Sequence, residues 1–124
     1  MHTVPFRRLA MLLLAAAALG PGSGVARAHA IVVSSQPAAG AVVHDTSAAV
    51  AVRFNSRIDP VRSRLMLVRP DGTSTTLELA DAPSPDTLAA SVGALTPGAY
   101  RLRWQVLATD GHITRGDIPF TVAP

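Results

Sequence analysis

Apolar and polar residues alternate over short runs along most of the chain. Between residues 49 and 54, Val50, Val52 and Phe54 fall on one side and Ala51 and Arg53 on the other. That period of two belongs to a half-buried β-strand, because successive side chains of an extended backbone point to opposite faces. The same reading predicts strands over residues 31–34, 64–69, 75–79, 87–92, 100–107 and 118–122, about seven in all. Turn residues separate them: Pro37-Ala38-Ala39-Gly40, Pro70-Asp71-Gly72, Ala82-Pro83-Ser84-Pro85 and Thr96-Pro97-Gly98. Their prolines and glycines set backbone angles that a strand cannot hold. Strand, turn and strand at this spacing predict an all-β domain built as a β-sandwich. In the clearest strand Tyr100, Leu102, Trp104 and Val106 share one face, and Arg101, Arg103 and Gln105 the other. Trp104 is therefore expected at the centre of the core. After residue 28 no stretch has a helical period, and there is no internal repeat.

The first residues follow another pattern. Arg7 and Arg8 precede an apolar run of 11 residues, 9–19, which Gly20-Pro21-Gly22-Ser23-Gly24 ends. A permanent membrane helix needs roughly 20 apolar residues. A basic start, a short apolar core and the small-x-small site Ala26-Arg27-Ala28 instead make a cleavable signal peptide. The expected organisation is a signal peptide over residues 1–28 and one domain over 29–124, exported out of the cytoplasm, with no membrane insertion of the mature chain. Phe6 stands where a twin-arginine signal usually has a polar residue, which favours ordinary secretion. Cleavage after Ala28 makes His29 the first residue. Cleavage after Ala30 would discard it, and cleavage after Ala26 would place it third.

Removing the signal changes the charge. Three of the 11 basic residues, Arg7, Arg8 and Arg27, leave with it, so eight arginines face eight Asp and Glu. A balanced domain lacks the electrostatic footprint that nucleic acid needs. There is no cysteine, so any metal site must use nitrogen, oxygen or thioether donors.

Three histidines follow residue 28. As a first residue, His29 offers its α-amine and its imidazole Nδ1, which together close a chelate ring on a metal. Asp110-Gly111-His112 lies just beyond the Trp104 strand. In an extended segment the side chains at i and i+2 project to one side, so Asp110 and His112 are expected to converge, with Gly111 placing nothing between them. An amine, two imidazoles and a carboxylate form a tetragonal nitrogen and oxygen set of the kind that suits Cu(II). The third histidine, His44, next to Asp45, reads as part of a surface loop. Met66, among Leu65, Leu67 and Val68, reads as core filler. No Ser-His-Asp order, phosphate loop or zinc-protease helix is present.

Several motifs in order resemble the CopC copper-resistance proteins of the bacterial periplasm. They are His29-Ala30, Ser34-Ser35-Gln36-Pro37-Ala38-Ala39-Gly40, a strand ending in Phe54-Asn55-Ser56, Pro97-Gly98-Ala99-Tyr100 with Trp104, and Asp110-Gly111-His112 followed by Gly116 and Phe120. The resemblance implies an immunoglobulin-like Greek-key sandwich of seven strands with Cu(II) ligands at His29, Asp110 and His112. It also implies a role in copper homeostasis or resistance, holding Cu(II) or passing it to an inner-membrane copper transporter. The chain departs from the family pattern twice. Met66 alone cannot build the methionine-rich Cu(I) loop of some members, and Ser56 stands where some carry a glutamate near the copper. The alternatives are a copper-dependent oxidative enzyme centred on the N-terminal histidine and a metal-free immunoglobulin-like interaction module. Few aromatics and a carboxylate beside the metal weigh against the enzyme.

Overall fold

Burial follows the alternation that the residue pattern predicts. The computed structural model describes residues 30–124, so the expected signal peptide and His29 lie outside the described residues. Nine strands form among those described: β1 (Val32–Gln36), β2 (Ala41–Val43), β3 (Ala48–Phe54), β4 (Arg64–Val68), β5 (Ser74–Thr76), β6 (Leu79–Ala80), β7 (Thr87–Val92), β8 (Gly98–Leu107) and β9 (Ile113–Val122). No helix long and apolar enough to cross a membrane occurs among them. The strands form two sheets, ordered β1-β3-β7-β6 and β2-β9-β8-β4-β5. Every pairing is antiparallel except β2 with β9.

The facing sides of the two sheets make the core. Val50, Val52 and Phe54 of β3 meet Leu102, Trp104 and Val106 of β8 there, none more than 8% exposed. Trp104 is central, as expected, and meets the Phe54 ring edge-on with centroids 5.1 Å apart. Tyr100 also points inward and stacks on Phe120 at 5.4 Å. Its hydroxyl donates to the Thr96 carbonyl (2.8 Å) and accepts from the Thr96 N–H (3.0 Å), so the buried phenol keeps its polar end satisfied.

Three departures from the expected strands have physical causes. The predicted strand over 75–79 divides: β5 pairs with β4 in one sheet and β6 with β7 in the other. Alternation marks extended backbone but does not say which sheet it joins. β2 has three residues paired with the end of β9, too few for a period to show. β9 begins at Ile113, five residues before the predicted start, because Gly116 interrupts the apolar pattern. That glycine is required by packing: a Cβ there would lie 2.5 Å from Trp104 Cζ2. Met66 lies in β4 as expected but only half-buried, in register with Arg103 and Thr76, and is not core filler.

Candidate metal centre

β8 and β9 pair over ten positions, from Gly98 opposite Val122 to Leu107 opposite Ile113. The hairpin ends in a loop of three residues, Thr109, Asp110 and Gly111. Two backbone bonds close it, Ala108 N–H to the His112 carbonyl (3.0 Å) and Gly111 N–H to the Ala108 carbonyl (2.9 Å). Gly111 has φ of +87°, the left-handed conformation that ends such a loop in a glycine bulge. The expectation was that extended backbone would set Asp110 and His112 side by side. They do converge, but through a bend. Asp110 Oδ1 accepts the His112 N–H at 3.0 Å, closing an Asx turn across the glycine, and Asp110 Oδ2 lies 3.2 Å from His112 Nδ1. The His112 side chain is 53% exposed and that of Asp110 25%, so the pair is open to a solute.

Two neighbouring segments brace this turn. Thr109 N–H donates to the Arg57 carbonyl (3.3 Å), and Ala108 forms an isolated bridge with Ile58. At the start of the described chain, Ile31 N–H donates to Asn55 Oδ1 (2.9 Å) and Asn55 N–H to the Ile31 carbonyl (2.9 Å). Thr114 Oγ1 donates to the carbonyl of the buried Ala30 at 3.3 Å. Residue 30 is thereby tied to a residue two positions beyond His112. Ser56 stands between Asn55 and Arg57, and its Oγ is buried with no hydrogen-bond partner. An unsatisfied buried hydroxyl costs about 1–3 kcal/mol.

Sequence reasoning pointed to the Asp110–His112 pair; it named Asn55 only as part of the Phe54-Asn55-Ser56 motif, without a role, and did not name Thr114, and these two fix the adjoining segment. Asn55 had a signal of a kind, an amide at the end of an apolar strand; Thr114 had none. Of the expected ligands, Asp110 and His112 are brought together, and His29 lies outside the described residues. No group of three or more His, Cys, Asp or Glu that could hold a metal occurs among the described residues. The pair supplies one imidazole nitrogen and one carboxylate oxygen, a borderline and a hard donor that suit a divalent transition metal once further donors join them. His44 is exposed in the β2–β3 loop, as the surface-loop reading expected.

Two carboxylates outside this turn are held low by their neighbours. The hydrogen bond from Arg103 holds the Asp117 carboxyl below the usual range against the opposing effect of burial, and the charges of Arg103 and Arg101 add to it. The Ser84 and Thr87 hydroxyls, with Arg53, do the same for Asp86.

The sheet order and the hairpin turn thus define an immunoglobulin-like sandwich with a paired carboxylate and imidazole at one end. The CopC domain model matches residues 32–123, and the chain belongs to the CopC family. The crystal structure of CopC from Methylosinus trichosporium OB3b is similar, at 28% identity and a TM-score of 0.70, over 77% of this chain and 95% of that one. PcoC, a methionine-rich copper resistance protein from Escherichia coli, shares the fold at 23% identity and a TM-score of 0.59, over 77% of this chain and 99% of that one. No curated protein sequence matches the chain.

Proposed function

We propose that the protein is exported to the periplasm and trimmed to begin at His29, and that it binds Cu(II) through the His29 amine and imidazole together with Asp110 and His112. It holds copper, or carries it to an inner-membrane transporter, and does no chemistry on it. The observation that carries this reading is the 3.2 Å approach of Asp110 Oδ2 to His112 Nδ1 on a braced turn. Connectivity supports the third ligand. Residue 29 is one peptide, about 3.8 Å between Cα atoms, from Ala30, whose carbonyl meets Thr114. Every aromatic residue among those described, Phe54, Tyr100, Trp104 and Phe120, is buried. None forms an exposed stacking face of the kind a polymer-oxidising enzyme would need.

Metal ligands must shed protons, so binding is expected to weaken in acid. Titrating the exported protein with Cu(II) near neutral pH should give a 1:1 complex, and Trp104, the one tryptophan of the chain, supplies a fluorescence signal. His112→Ala and Asp110→Asn should each lower affinity by at least about 10–100-fold, the range seen when a supporting group at a metal site is lost. Absence of a saturable complex, or unchanged affinity in both variants, would overturn the reading.

A further inference from the structure

The outer face of the five-stranded sheet carries a charge that the domain as a whole does not. Alternation along β8 buries Tyr100, Leu102 and Trp104 and turns Arg101 and Arg103 outward. Arg64 of β4 and Arg115 of β9 stand on either side of Gln105. In the next row Arg103 lies between Met66 and Asp117, and in the third Arg101 lies between Val68 and Pro119. Strands about 4.8 Å apart and same-face residues roughly 7 Å apart along a strand put the four arginines in a patch about 10 by 14 Å. Asp117 is the single acidic residue in these rows, leaving a net charge of +3 where the described residues balance eight arginines with eight acids.

Asp117 orients this patch more than it neutralises it. Its Oδ1 accepts from Arg103 Nε at 2.9 Å, and its Oδ2 from Arg101 Nη1 at 3.2 Å and Arg103 Nη2 at 3.3 Å. Arg115 Nε donates to Gln105 Oε1 at 2.8 Å. The Arg101 and Arg103 side chains nevertheless stay 50% and 42% exposed, and Arg64 and Arg115 are exposed as well. Guanidinium groups already held by neighbours lose less freedom on meeting a second carboxylate, and their planar fork matches it through two parallel bonds.

We propose that this face is a docking surface for a carboxylate-rich surface on another protein. A protein can set donors opposite Asp117 and carboxylates opposite the arginines. An anionic bilayer presents the same charge everywhere, so it would repel Asp117, and the balanced net charge gives it little to attract from a distance. The patch begins one row from the Leu107–Ile113 pair that leads into the Asp110–His112 turn. A partner seated on it therefore lies beside that turn, although the surface stands whether or not copper binds there.

The test follows backbone amide NMR signals of the exported protein during titration with a ten-residue peptide of alternating Glu and Gly. Saturable shifts confined to β4, β8 and β9 and weakened by added salt are expected. The double variant Arg64→Gln/Arg115→Gln should bind at least about tenfold more weakly, and Arg53→Gln, on the other sheet, should bind as the parent does. Arg64→Lys/Arg115→Lys keeps the charge but loses the fork, so it should fall between the parent and the Gln variant and guards against a folding defect in the latter. The proposal is overturned by absence of saturable shifts, by equal binding of the parent and the Gln variant, or by binding to phosphatidylglycerol vesicles without binding to the peptide.

Discussion

Each oxygen of the Asp110 carboxylate has its own partner, the His112 N–H for one and the imidazole for the other. One short side chain thus sets both the backbone and the ring direction of the second histidine. A comparable dependence links Gly116 to Trp104. A Cβ at residue 116 would lie 2.5 Å from Cζ2 and 2.7 Å from Cε2 of the indole, and the Phe54 ring limits where the indole can retreat. Gly116→Ala should therefore destabilise the fold by about 1–3 kcal/mol through overpacking, read as a lower urea midpoint with changed Trp104 emission; unchanged stability would contradict this packing. At this scale the sequence was most legible where chemistry is scarce. With few histidines, Asp110-Gly111-His112 stood out, whereas the orphaned Ser56 hydroxyl and the Thr114 bond to Ala30 depend on neighbours distant along the chain.

The strands were legible where one face is buried and the run is long. β3, β7 and β8 follow their alternation nearly residue for residue. β2, β5 and β6 were misread or missed because two or three residues carry too little pattern to show a pairing or a change of sheet. The first half of β9 was hidden by Gly116 and by outward polar residues, among them Asp117, which ties β9 to β8. Arg103 holds the Asp117 carboxyl below its ordinary value of 3.8. A carboxyl depressed in the folded state contributes stability above its unfolded value, and that contribution is lost as the pH falls through the folded value. Asp117→Asn should accordingly lower the melting temperature at neutral pH, and the gap from the parent should close as the pH drops below 3.8. A gap of constant size across that range would show that the pairing with Arg103 and Arg101 contributes nothing.

For the molecule as a whole, membership of the CopC family and the two-sheet sandwich agree with the fold that the turn spacing and the motifs implied. The arginine-lined sheet was not legible in the same way. Each arginine alone reads as a solvated strand residue, and only the strand order β9-β8-β4 gathers them on one face. The proposed copper site would join the same scales, uniting a hairpin turn with a chain start created by processing. The most direct test of that claim compares Cu(II) affinity of the protein beginning at His29, its start verified by intact mass, with the same protein retaining Ala28. An added residue turns the terminal amine into an amide and leaves Asp110 and His112 untouched, so the account predicts affinity lower by at least about 10–100-fold. Equal affinity in the two forms would contradict it.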